Sequence, residues 1–135
     1  MSDKKPKRAC IYAYTAQTCS PEVDKQVLAC RAVALANDFA IEKTEIDGGR
    51  SGPNMIGRDG LARVLQAAEA GEFDTLIIKS LDRLGRDANV SASILVRLQM
   101  YRIQLVTADA GVISLEDAAV RMVEGAGALQ RQARQ

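Results

Sequence analysis

The feature that most constrains this chain is alternation. Short apolar runs of strand length and longer segments with apolar residues at helical spacing follow one another from Ala9 to the C-terminus without a linker. Ala9–Thr15, ACIYAYT, is an apolar and aromatic run that suits a buried strand. Ser20-Pro21-Glu22 then offers an N-cap, a proline at the first helical position and an acid in the first turn. Val23, Val27, Cys30 and Ala34 recur at helical spacing to about Asn37, and Ala40–Asp47 predicts a second strand. After the glycine-rich stretch Gly48–Gly57, Leu61, Val64, Leu65 and Ala68 share one face of a second helix that ends near Gly71. Thr75–Lys79, TLIIK, is a third strand whose unbroken apolar run suits a parallel sheet covered on both faces. Asp87 caps a third helix striped by Val90, Ile94 and Leu98, Gln104–Thr107 is a fourth strand, and Ser114 opens a last helix.

This order predicts a single α/β domain with a mainly parallel sheet of four to five strands flanked by helices. Residues 1–8 are expected to be a flexible basic tail, 9–113 the α/β domain, and 114–135 the start of a C-terminal helix. In such sheets the ligand crevice lies beyond the carboxyl ends of the strands. Tyr14–Ser20, Gly48–Arg58, Ser80–Asp87 and Thr107–Ile113 are therefore the segments expected to build a site.

Composition removes several kinds of chemistry. The chain has 135 residues, 47% of them hydrophobic, which suits one real core. It has no His, so imidazole acid–base catalysis, Ser–His–Asp triads and histidine metal sites are excluded. With no Trp, three Tyr and two Phe, a stacking platform for single strands is weak. The three cysteines, Cys10, Cys19 and Cys30, lack C-x-x-C spacing and fit neither a disulfide scaffold nor a zinc site. A net charge of +1 argues against a dedicated electrostatic DNA clamp, though a local basic pocket remains compatible with it. No run approaches the 18 apolar residues of a membrane span, and the basic start MSDKKPKR lacks the apolar segment of a secretory signal. The expectation is a cytoplasmic protein without membrane contact.

The densest motif is Ser80-Leu81-Asp82-Arg83-Leu84-Gly85-Arg86-Asp87, directly after the third strand. Two arginines three apart at a strand end can aim guanidinium forks at one anion, and Arg58, arriving from the glycine-rich stretch, can join them. Three cations on one phosphate would stabilise charge on its oxygens. By spacing alone, Asp82, Arg83, Arg86 and Asp87 fit a solvated ion-pair cluster better than a pocket, since exposed pairs of this sort are common. Gly48–Gly57 is no Walker A loop, since no Gly-Lys-Ser/Thr follows.

Gly71–Asp87, GEFDTLIIKSLDRLGRD, closely resembles the central signature of the serine recombinases, the resolvase/invertase family. The resemblance extends to Ile11-Tyr12-Ala13, to Ser20–Gln26, to Gly49–Leu61 and to Asp109–Ile113. It implies a resolvase-like catalytic fold and a defined reaction: a serine hydroxyl attacks a DNA phosphodiester, and subunits of a tetramer then exchange strands. It implies no metal or nucleotide cofactor. Carried over by position, Arg58, Arg83 and Arg86 bind phosphate, Asp82 holds the arginines in place, and the partners are DNA and a second subunit of the same or a related recombinase.

Two departures qualify that inheritance. Family members carry an arginine and, two residues on, the serine nucleophile where this chain reads Tyr12-Ala13-Tyr14-Thr15-Ala16-Gln17. Without a gap, Tyr14 stands for the arginine and Ala16 for the serine. A two-residue deletion instead sets Thr15-Ala16-Gln17 against the Ser-Thr-x-Gln region, and the serine is again missing. A methyl group forms no covalent intermediate, so the loss removes a step. Losing the arginine adds a deficit of roughly 10²–10³ in rate. Substitutes are poor: strand alternation turns Thr15 to the opposite face, Thr18, Cys19 and Ser20 suit a helix start, and Tyr14 fills the arginine's place. Secondly, the last helix, VISLEDAAVRMVEGAGALQRQARQ, is short for the family and contains Gly125 and Gly127, each costing roughly 1 kcal/mol in a helix interior. Arg121, Arg131 and Arg134 remain as possible phosphate contacts, and no separate DNA-binding domain is expected.

Three functions compete. One is an active recombinase domain that uses another hydroxyl. Another is a pseudoenzyme, descended from a mobile-element recombinase, that keeps part of the phosphate pocket and pairs with an active relative or with some other protein. The third is an unrelated α/β module for a small phosphorylated ligand. The pseudoenzyme reading accommodates both departures.

Overall fold

The computed structural model describes residues 7–15, 21–47, 59–84 and 88–120. Its frame is β1 (Arg8–Tyr14), buried from Ala9 to Ala13, which has neighbours on both sides. β2 (Ala40–Asp47) runs parallel to it from Arg8↔Ala40 to Tyr14↔Asp47, with one irregularity between Ala9 and Cys10. On the other side β3 (Thr75–Ile78), buried throughout, accompanies β1 only over Ala9–Ile11. β4 (Gln104–Thr107) lies parallel to β3, and β5 (Gly111–Ile113) closes the sheet antiparallel, in the order β2-β1-β3-β4-β5.

The mainly parallel α/β domain predicted from the alternation is thus present, and β2 and β4 keep their predicted bounds. β5 lies within Thr107–Ile113, a segment that the sequence marks as site-building without a strand signal. Its three residues are too few to show a period, and a tight turn makes it a strand. There the Ala110 amide donates to Thr107 Oγ1 at 3.1 Å, and Gly111 takes a φ of 77°.

The helices divide between the faces. Among the described residues, α1 (Pro21–Ala36) is the helix on one face, where Cys30 and Ala34 meet Ala9, Ile11, Ile77 and Val106. α2 (Asp59–Glu69) and α3 (Ala88–Met100) share the other, larger core with Cys10, Tyr12, Leu76, Ile78 and Leu105. This division follows from right-handed crossovers, because β1 leads to β2 on one side while β2 returns past β1 to β3. A single 3-10 turn, Leu81–Leu84, follows β3, and α4 spans residues 115–120, with the Asp117 amide donating to Ser114 Oγ at 3.0 Å.

α1, α2 and α3 end in the same double hydrogen bond, closed respectively by Phe39 N–H on Ala34 O at 2.9 Å, Glu72 N–H on Ala67 O at 3.0 Å and Ile103 N–H on Leu98 O at 2.9 Å. The residue inside each turn is left-handed: Asp38 (φ 56°), Gly71 (φ 75°) and Arg102 (φ 59°). Among the described residues no helix is long and apolar enough to cross a membrane.

Candidate functional site

β1 and β3 are neighbours whose connections leave to opposite sides, which makes the gap beyond their carboxyl ends the topological switch point of the sheet. The 3-10 turn that carries Asp82 and Arg83 starts at Leu81, after Lys79 and Ser80, and its Arg83 reaches the end of β1. Among the described residues, the end of β1 has no strand on this side, because β3 pairing stops at Ile11.

Side chains supply what the missing strand would. Tyr14 N–H donates to Gln26 Oε1 at 3.0 Å, and Gln26 Nε2 donates to Tyr14 O at 2.8 Å, so one carboxamide satisfies both backbone groups. Gln26 is 0% exposed, and it sits on the buried stripe of α1. Arg83 Nη1 donates to the same Tyr14 carbonyl oxygen at 3.3 Å. A carbonyl oxygen offers two lone pairs, and here α1 and the 3-10 turn each engage it. Towards β2, Thr15 N–H donates to Asp47 O at 3.2 Å.

Asp47, at the end of β2, organises the neighbouring segment. Its Oδ1 accepts from Gly60 N–H at 2.7 Å, and its Oδ2 accepts from Leu61 N–H at 2.9 Å and from Tyr12 Oη at 2.8 Å. A carboxylate from another strand thereby caps the start of α2, where amides lack helical partners and the dipole favours negative charge. The fit demands glycine at position 60, since a Cβ there would lie 2.7 Å from Asp47 Oδ1.

Of the residues singled out in the sequence, the structure brings Tyr14 and Arg83 together. Arg83 is half-buried with its Nε buried, and so does not belong to a freely solvated surface cluster. The backbone of Asp82 lies in the same turn; its side chain lies outside the described residues, as do Ala16, Arg58, Arg86, Thr18, Cys19, Ser20, the Gly48–Gly57 stretch and Arg121, Arg131 and Arg134. Thr15 is 5% exposed, which withdraws its hydroxyl from solvent. Cys10 and Cys30 are core residues, and burial pushes their thiols up to about 12 and about 11. Neither is a nucleophile in this state.

Gln26, Asp47 and Tyr12 are the site-building residues that sequence reasoning passed over. Gln26 carried a signal, being a polar residue one position from Val27 on an apolar stripe. Asp47 carried a weaker one, as an acid between a strand and a glycine-rich stretch.

Comparison with known proteins bears on this arrangement. The family described as "Resolvase, N terminal domain" matches residues 15–134. The chain is similar to the N-terminal catalytic domain of TP901-1 integrase, at 19% identity and a TM-score of 0.72 over 96% of this chain and 100% of that one. It is similar to a resolvase family site-specific recombinase from Streptococcus pneumoniae, at 22% identity and a TM-score of 0.73 over 95% of this chain and 91% of that one. The C-terminal catalytic domain of ISC1926 TnpA, an IS607-like serine recombinase, superimposes with a TM-score of 0.67 at 22% identity over 75% of this chain and 70% of that one. At these identities the likenesses establish the fold. No curated protein matches the chain.

Proposed function

Since the chain belongs to the resolvase N-terminal domain family of serine recombinases, we propose that it is a recombinase catalytic domain that engages the DNA backbone but does not cleave it. The observation that carries this reading is the end of β1. Tyr14 occupies the strand's last position, its backbone is tied to Gln26 and Arg83, and Ala16 follows two residues later. The family's arginine and serine belong to this segment. In their place the chain has a phenol and a methyl group, and the intervening Thr15 hydroxyl is buried.

What remains is an electrophilic half-site. Arg83 stands at the switch point, and Arg58 and Arg86 are the further cations proposed to bind phosphate, with Asp82 supporting them. Guanidinium forks bind phosphate oxygens in defined geometry and need no metal to do so. A domain of this kind acts through assembly, pairing with a second copy or with a related recombinase and contributing a subunit that cannot attack.

The test is a mixing experiment with an active family member on supercoiled DNA carrying that member's sites. Increasing amounts of this chain are expected to lower product formation, with mixed oligomers visible by crosslinking. Unchanged product at saturating amounts, with no mixed oligomer, would overturn the pairing role.

A further inference from the structure

We propose that Gln26 is a positioning residue of the arginine pocket, setting the Arg83 guanidinium through the Tyr14 carbonyl to which both side chains donate; the inference rests on the phosphate-binding reading of Arg83 above. Strand pairing holds β1 on its β2 side as far as Tyr14↔Asp47, but on the other side it ends at Ile11. Without a substitute, the last turn of β1 would present its N–H and C=O to the gap, and the strand end would be free to rotate. The Gln26 carboxamide replaces the missing strand, contacting Tyr14 N at 3.0 Å and Tyr14 O at 2.8 Å.

The consequence reaches Arg83. Its Nη1 rests on the same oxygen at 3.3 Å, so the direction of that carbonyl sets where one edge of the guanidinium lies. Because the guanidinium is planar, fixing one edge fixes the direction in which the others point. Gln26 is 0% exposed and comes from a helix on the opposite side of β1 from α2 and α3. Its role is therefore exerted through the backbone rather than by contact with a ligand.

The experiment follows Arg83 in the free protein and in the presence of DNA. The full chain is labelled with ¹⁵N-arginine, and the Arg83 side-chain signal is assigned with Arg83→Lys. Gln26→Met removes both hydrogen bonds. Gln26→Leu removes both hydrogen bonds with a different apolar shape and no charge, providing a second variant should the first fail to fold. Ile77→Val, a buried methyl deletion, controls for loss of stability alone. Both Gln26 variants are expected to speed exchange of the Arg83 guanidinium protons at least about tenfold, and Ile77→Val to leave it unchanged. On a short DNA duplex, one lost phosphate contact lowers the salt dependence, so raising salt from 50 to 200 mM should weaken the wild type about 3.5-fold more than the Gln26 variants. Unchanged Arg83 exchange in the Gln26 variants would overturn the inference, and so would an equal change in the Ile77→Val control. Freed Arg83 protons with an unaltered salt dependence would instead overturn the phosphate reading of Arg83, and the pocket role of Gln26 with it.

Discussion

At the scale of single residues the structure makes sharp demands around Asp47. The carboxylate accepts from Tyr12 Oη and from two amides at the start of α2, so Asp47→Ala leaves three donors short of an acceptor. Together the lost cap and the buried donors should cost about 2–4 kcal/mol, read as a lower urea midpoint. Gly60→Ala would ordinarily favour a helix by up to about 1 kcal/mol. Here the new Cβ meets Asp47 Oδ1 at 2.7 Å, so the substitution should destabilise by about 1–3 kcal/mol. A more stable Gly60→Ala protein in the same titration would contradict the cap geometry. The buried thiols give a pH dependence of definite sign. Folding raises Cys10 from 9.0 to about 12 and Cys30 from 9.0 to about 11, chiefly by desolvation, so the folded state favours the protonated thiols. Their contribution is complete below pH 9 and is lost as pH rises through 11 to 12. Thermal unfolding from pH 8 to 11 should show Cys10→Ala losing less stability with rising pH than the parent chain.

Among the elements, the helix ends offer the cleanest test. Arg102 holds a φ of 59° at the end of α3, a region in which a side chain other than glycine is strained. Arg102→Gly should therefore stabilise the chain by about 0.5–1 kcal/mol, a rise in Tm that a surface arginine gives no other reason to expect. The same ends show what was legible beforehand. Gly71 announced the close of α2, whereas Asp38 and Arg102 perform the same service for α1 and α3 without the residue type that betrays it. β3 was legible because TLII is apolar on both faces. The 3-10 turn was not, because Leu81–Leu84 is a single turn and carries no period. Arg83 was legible as a candidate from its motif. Its partner was not, because the junction on Tyr14 joins residues 12 and 69 positions apart in sequence. α1 covers the smaller core, and Leu28 and Leu35 on it stay exposed. Its amides should accordingly exchange by a lower-energy local opening than those of β3, as native-state hydrogen exchange would show.

For the whole molecule, the fold and the catalytic step lead separate lives. The sheet order and its switch point are those of the resolvase N-terminal domain family, and the caps and core described above are built by Asp47, the helix ends and the apolar residues of the strands. On the proposed reading, a methyl in place of the nucleophile would leave this architecture intact while removing the covalent step. Since fold does not decide activity, the claim has to be tested at the chemistry. The most direct measurement incubates the full chain with nicked duplex DNA bearing a relative's crossover site, beside that active relative, and reads both on a denaturing gel. The account predicts a covalent protein–DNA adduct for the relative and none for this chain. An adduct on this chain, mapped by peptide analysis to any of its hydroxyls or thiols, would contradict the loss of cleavage.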